Sequence, residues 1–323
     1  MRLAALDVGT NSTRLLVADV EGGVVVAEHA REMRITRLGQ GVDRTGRFDP
    51  AALARTLEVL AGYAETCRRL GVERRRLVAT SATRDAADRQ RFLDGVRDLV
   101  GVEAVVLTGQ AEAAAAYRGA TSGGVRGGRA GPTDGSGLPG DEPTLVVDLG
   151  GGSTELILGR GDRATAAVSL EIGCVRLFER RLHDDPPTPA QVAALRADVA
   201  AHLARVPEVL DPAAASRVVG VAGTVTTVAA IALGFQTYDR QRIHLATVEA
   251  AEITTTAEKL AAMTTAERAA LPVMAAGRED VIAAGALLLD ELVQRFRVPR
   301  VTASETDILD GVLLGLADGS QRR

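Results

Sequence analysis

A chain of 323 residues, 46% of them apolar, can bury a large core, and its length suits two domains of roughly 150 residues each. A formal net charge of −4 lacks the basic footprint of a general nucleic-acid binder, so an anionic ligand would have to be held by local donors. No apolar run reaches the length of a membrane span, no signal-like segment opens the chain, and Cys67 and Cys174 lack metal-ligand spacing; the expectation is a soluble cytoplasmic protein with two reduced, buried thiols that binds neither membrane nor nucleic acid.

Aromatic residues make up 2% and Trp is absent, so the core must be built from Ala, Val, Leu and Ile, a composition suited to sheets covered by helices on both faces. In chain order, residues 2–7, 14–20 and 24–30 read as three strands, with Gly22-Gly23 as a turn signal, so the chain opens as a meander. A helix over 50–70 starts behind Asp49-Pro50 and repeats Leu53, Leu57, Leu60 and Ala64 at helical spacing. A strand at 76–80, a helix at 84–99, a strand at 102–107 and a helix at 109–120 follow. The stretch 121–143 is dense in Gly and Pro and almost free of apolar side chains, which predicts a mobile loop or linker. Beyond it come strands at 144–149, 154–159 and 164–171, a helix at 190–205, a strand at 217–221 and a helix at 225–233. Helices at 249–262 and 280–296, a strand at 299–303 and a closing helix at 305–317 complete the chain. Asp280 and Glu305 read as N-caps of the helices they begin. His29, His183, His202 and His244 fall in no metal-like spacing.

The opening pattern returns after the linker. LAALDVGTNSTRLLVADV aligns with TLVVDLGGGSTELILGRG, so that Asp7 meets Asp148, Gly9 meets Gly150, Ser12 meets Ser153 and Leu15 meets Leu156. Two copies of one hairpin imply two similar domains across a cleft. Each copy ends a buried strand on a carboxylate and continues into a glycine turn with small hydroxyl residues. Backbone amides in such a turn converge on phosphate oxygens, and Ser and Thr add donors. A carboxylate beside a phosphate repels it unless a cation intervenes, so Asp7 and Asp148 imply Mg²⁺. Arg14, just past the first turn, is placed to reach the same phosphate.

DVGTNSTRLLVAD and VVDLGGGSTELILG resemble the two phosphate motifs of the actin, sugar kinase and heat-shock chaperone superfamily, with Val219–Thr224 as a vestige of its adenosine motif. Within that superfamily the chain is similar to the exopolyphosphatase/guanosine pentaphosphatase branch. The segments ATSATRDAADRQRF at 79–92, LTGQAEAAAAYRGA at 107–120, AGREDVIAAGALLL at 276–289 and SETDILDGVLLG at 304–315 carry that likeness in family order across almost the whole chain. The resemblance implies an α/β fold of two ribonuclease-H-like, actin-like ATPase domains flanking a cleft. The first would comprise 1–122 with 305–323 and the second 144–304, joined through 123–143.

The resemblance also implies roles. Glu112, in Gly109-Gln110-Ala111-Glu112-Ala113, matches the glutamate that acts on the attacking water; Ala111 replaces the first acid of the family's pair, leaving one candidate base. A lone Glu at a helix start is also well placed for the helix dipole. Arg84 matches a phosphate-binding arginine, with a planar fork suited to phosphate oxygens, although Lys259 is the only lysine and arginines abound. Glu155 matches an acid kept near the metal. The expected reaction is in-line attack of water on a terminal phosphoryl group held by Gly9, Thr10, Asn11 and Ser12 in one copy and Gly150, Gly151, Gly152 and Ser153 in the other, with Mg²⁺ offsetting charge. The substrate would be inorganic polyphosphate, or alternatively guanosine pentaphosphate, both of which present a terminal phosphoanhydride. The rivals of another class are an ATP-dependent sugar kinase, disfavoured by Ala222 in the adenosine motif, and an actin-like assembly protein, disfavoured by the polar character of 121–143. Relatives with an additional C-terminal helical region imply that a form without it favours short chains, and a homodimer is implied by the resemblance alone.

Overall fold

The computed structural model describes residues 1–123 and 142–319; most of the Gly-rich stretch read as a linker lies outside the described residues. The chain divides into two compact units, one of Met1–Gly137 with Thr306–Arg323 and one of Leu138–Glu305.

The first unit opens with strands β1 (Arg2–Val8), β2 (Ser12–Glu21) and β3 (Val24–Ile35). Helices α1 (Val42–Thr45) and α2 (Pro50–Arg69), strand β4 (Arg74–Ala79), helices α3 (Ser81–Asp85) and α4 (Gln90–Val100), strand β5 (Ala104–Val106) and helix α5 (Gly109–Thr121) follow. The sheet runs β3-β2-β1-β4-β5, antiparallel through the meander and parallel from β1 to β5. β1 is buried on both faces: Ala4, Leu6 and Val8 pack with residues of α2 and α4, while Leu3 and Ala5 belong to the opposite cluster. α2 starts as its sequence predicts, Asp49 accepting the Ala52 amide at 2.8 Å with Pro50 in the first turn.

The second unit repeats the plan. Strands β6 (Thr144–Leu149), β7 (Thr154–Arg160) and β8 (Arg163–Leu170) lead to helices α6 (Cys174–Arg181) and α7 (Pro189–Leu203). Strand β9 (Arg217–Val221), helices α8 (Ala222–Ala232) and α9 (Arg240–Ile243), and strand β10 (Thr247–Glu249) follow. Helices α10 (Ala250–Ala262), α11 (Thr265–Ala269) and α12 (Ile282–Arg295) precede strand β11 (Arg300–Ala303). Their sheet order, β10-β11-β9-β6-β7-β8, contains the first unit's arrangement, with β6, β7, β8, β9 and β11 in the places of β1 to β5. The α/β fold class expected from the sequence is therefore met, and the internal repeat is a repeat of structure. The chain then returns to the first unit as helix α13 (Ile308–Ala317).

α13 crosses α5 at two glycines. A Cβ on Gly311 would lie 1.9 Å from the Ala115 carbonyl oxygen, and one on Gly119 would lie 1.7 Å from that of Asp307. Backbone atoms cannot yield as side-chain ends do. Gly311→Ala should therefore destabilise the protein by about 3 kcal/mol, read as a lower denaturant midpoint with an unchanged slope.

Several expectations need correction. The helix expected over 84–99 is two helices, because Ala86 is extended and the Ala87 amide donates to the Gly46 carbonyl at 2.8 Å. The closing helix begins at Ile308 rather than 305, capped by Asp307; Glu305 instead accepts from Tyr238 Oη at 2.6 Å and Arg240 Nε at 3.1 Å. Asp280 is not the cap of α12, whose preceding residue is Val281, without a side-chain cap.

Candidate functional site

In the first unit the turn after β1 is closed by the Gly9 amide donating to the Ser12 carbonyl at 2.9 Å. The Thr10 carbonyl accepts from Gly39, and the Asn11 carbonyl accepts from Thr36 and Arg37. A trans peptide points its C=O and the following N–H in opposite directions. With those carbonyls held by the 36–39 segment, the Asn11 and Ser12 amides are directed to the other side of the turn. Gly39 is required there: a Cβ would come within 2.2 Å of Thr10 Cγ2.

The second unit builds the same device from different partners. The Gly150 amide donates to the Ser153 carbonyl at 3.0 Å. The Gly150 carbonyl accepts from Cys174, that of Gly151 from Val175 and Arg176, and that of Gly152 from Arg176 Nε at 2.9 Å. By the same planarity, the amides of Gly151, Gly152 and Ser153 are turned away from α6. Gly173 makes this approach possible, since a Cβ there would lie 2.5 Å from the Gly151 carbonyl. Successive amides directed to one side form an anion-binding concavity.

The carboxylates at the two strand ends differ in company. Asp7 lies opposite Arg14 in register, and its Oδ2 accepts from Arg14 Nε at 3.0 Å and Nη2 at 2.6 Å. Arg14 Nη1 donates to Asp307, so the guanidinium expected to meet phosphate is engaged by two carboxylates. Burial pushes the Asp7 carboxyl up from its ordinary value, the Arg14 charge and hydrogen bonds oppose that, and Asp307 adds to it. At the equivalent positions of the second unit, Asp148 lies directly opposite Glu155, with Asp148 6% exposed and Glu155 1%. Glu155 Oε1 accepts from Ser169 Oγ at 2.7 Å. Like charges paired across strands repel unless something offsets them.

Among the described residues no group of three or more His, Cys, Asp or Glu side chains forms a cage for a metal. The buried Asp7 Oδ1 has no hydrogen-bond partner, however, and the Asp148–Glu155 pair concentrates negative charge. Taken each within its own unit, these carboxylates are hard oxygen donors of the kind a divalent cation completed by substrate oxygens and water prefers, the habit of Mg²⁺.

Glu112 lies in the first turn of α5 and is 7% exposed. Arg84, at the end of α3, donates through Nη1 to Glu112 Oε2 at 2.5 Å and to the Leu107 carbonyl at 3.0 Å. The structure therefore brings these two residues together and gives Arg84 a carboxylate partner. Two further residues were not singled out from the sequence. Asp307 is one. The other is Arg278, 8% exposed, which donates to Thr227 Oγ1 at 2.7 Å, has no carboxylate partner among the described residues, and lies so near Gly223 that a Cβ there would be 2.2 Å from Nη2. A buried guanidinium without an acid, beside the start of α8, is a candidate anion donor. Ala222, where the adenosine motif has glycine, keeps the left-handed backbone a glycine would adopt (φ 69°).

A model of the Ppx/GppA phosphatase family matches residues 16–319. The chain is 44% identical to Exopolyphosphatase 2 of Mycobacterium tuberculosis over 329 positions, covering 98% of each. It resembles the crystal structure of an exopolyphosphatase-like protein with a TM-score of 0.90 and 35% identity, covering 98% of this chain and 97% of that one. It also resembles the crystal structure of the Aquifex aeolicus member of the Ppx/GppA family, with a TM-score of 0.80 and 29% identity, covering 100% of this chain and 99% of that one.

Proposed function

This chain belongs to the Ppx/GppA phosphatase family, and on that premise we propose that it is an exopolyphosphatase, a phosphoanhydride hydrolase that removes the terminal phosphate of inorganic polyphosphate. The observation that carries the reading is the duplicated turn, in which neighbouring segments hold the carbonyls and leave a run of amides directed to one side in each unit. The near full-length similarity to Exopolyphosphatase 2 supports polyphosphate over guanosine pentaphosphate as the substrate.

In this reading the amides of Thr10, Asn11 and Ser12, and of Gly151, Gly152 and Ser153, hold phosphate oxygens, whereas the Gly9 and Gly150 amides, expected from the sequence to do the same, are taken by the Ser12 and Ser153 carbonyls and close the turns instead. Arg278 adds a fixed positive charge in the second unit. Asp7, Asp148 and Glu155 would hold Mg²⁺, which when bound offsets the negative charge of the phosphoryl group. Glu112 orients a water molecule toward the terminal phosphorus and accepts its proton. Arg84 fixes the Glu112 carboxylate through Oε2 and positions the base. Phosphoryl transfer leaves the protein mainly these tasks of alignment and charge stabilisation. Among the described residues no helix is long and apolar enough to cross a membrane. The two buried cysteines are free, which suits a reducing compartment, and we place the enzyme in the cytoplasm.

Phosphorus NMR of a polyphosphate digest tests the reading. Removal from the ends should release orthophosphate while the number of end groups per volume stays constant until chains are exhausted. A rise in end groups with little orthophosphate would mean internal cleavage and would overturn it.

A further inference from the structure

We infer that Asp307 is a positioning residue for Asp7: acting through Arg14, it fixes one oxygen of the Asp7 carboxylate and keeps the cluster negative enough to attract a divalent cation. The inference rests on the metal role proposed for Asp7.

Alternation along β1 puts Asp7 on the face of Leu3 and Ala5, and those two residues pack in the cluster that contains Ile308, Leu309 and Val312 of α13. Arg14 sits directly across on β2. Two of its nitrogens converge on Asp7 Oδ2 and the third reaches Asp307 Oδ2, while Asp7 Oδ1 stays buried without a hydrogen-bond partner. Asp307 is itself fixed. Its Oδ1 caps α13 by accepting the Leu309 amide at 2.9 Å, and its own amide donates to Asp310 Oδ2 at 3.0 Å. Asp310 is gripped by Arg31 through Nη2 at 2.6 Å and Nη1 at 3.1 Å, and Arg31 Nε also donates to Glu28 at 2.9 Å. Gly119 closes on the Asp307 carbonyl from α5, leaving that backbone no room to shift. Every group in this chain of contacts lies in the first unit.

The charges explain why the arrangement is needed. An arginine alone beside Asp7 would neutralise it and compete with a cation for both oxygens. Asp7, Arg14 and Asp307 together carry a net charge of −1, and the pull of Asp307 holds the guanidinium to one side. The second unit has Glu155 at the position where the first has Arg14.

Asp307→Asn discriminates, because Asn caps a helix as well as Asp does while removing the charge. Mn²⁺ binding to the whole protein without substrate, followed by electron paramagnetic resonance, should weaken about tenfold, as expected for losing one nearby charge in a partly buried setting. The cation-free thermal midpoint should stay within about 2 °C, since the cap is kept. Arg14→Gln combined with Asp307→Asn restores the net charge of −1 and should bind more tightly than Asp307→Asn but less tightly than the parent, because the charge is regained while the hold on Asp7 is lost; binding no tighter than Asp307→Asn overturns the charge role, and full parent affinity overturns the positioning role. Asp318→Asn, which breaks the Arg118 ion pair just beyond the other end of α13, should bind Mn²⁺ as the parent does. Parent-like binding by Asp307→Asn, or an equal loss in Asp318→Asn, overturns the inference. Asp7→Asn separates it from the reading beneath it. Weaker binding in Asp7→Asn with parent-like binding in Asp307→Asn overturns this inference alone, whereas parent-like binding in Asp7→Asn overturns the metal role and this inference with it.

Discussion

Glu112→Gln is expected to lower kcat on polyphosphate by roughly 10²–10⁴-fold while leaving KM within a few-fold, the range for losing a general base. Gln has the shape of Glu, and its amide oxygen can still accept from Arg84 Nη1, so the 2.5 Å contact between α3 and α5 has a substitute. What is lost is the capacity to take a proton from water. The amides of the two turns, which bind phosphate in this account, are untouched, so substrate affinity should persist. Steady-state rates with polyphosphate, together with a thermal midpoint to show that the fold is kept, check the expectation. Activity within a few-fold of the parent in a folded variant would assign water activation to another group.

Asp148→Asn is expected to raise the Mg²⁺ concentration for half-maximal activity by about tenfold or more, because it halves the negative charge of a buried pair. Asp148 and Glu155 lie opposite one another across β6 and β7, and Glu155 is further tied to Ser169 Oγ at 2.7 Å. Opposed like charges destabilise a strand pair, so the same substitution should not lower the thermal midpoint measured without divalent cations. These two readouts separate a metal role from a structural one. A structural role lowers stability and leaves the Mg²⁺ titration in place; a metal role does the reverse. Overlaid Mg²⁺ titrations of variant and parent would remove Asp148 from the metal site.

Much of this was legible in the sequence, for identifiable reasons. Strands 144–149 and 217–221 read to the residue because they are buried apolar runs with sharp polar or glycine boundaries. Asp7 and Asp148 stood out because the hairpin occurs twice. The helix at 84–99 was misjudged because its break is tertiary: Asp88 Oδ1 accepts the Phe48 amide at 3.0 Å, a contact that local propensity does not encode. α6 was missed because it is a short, arginine-rich helix whose reason for existing is the turn it braces. β10 is three residues long and depends on β11. Glu305 and Asp307 both lie just ahead of the closing helix, and only the fold distinguishes the residue that caps α13 from the one that binds Tyr238 and Arg240. The Arg14–Asp307 contact joins residues 293 positions apart, beyond the reach of any spacing argument. Arg278 was hidden by composition, since 38 of 323 residues are Lys or Arg and an arginine therefore draws little notice until its burial without an acid is seen.

Orthophosphate release from matched concentrations of inorganic polyphosphate, guanosine pentaphosphate, and ATP with a panel of sugars separates an exopolyphosphatase from the other enzymes its fold could support. With Mg²⁺ present, polyphosphate should be turned over fastest, guanosine pentaphosphate more slowly, and ATP should yield no phosphorylated sugar. Sugar phosphorylation from ATP, or no phosphate release from polyphosphate by the folded protein, would rule out an exopolyphosphatase.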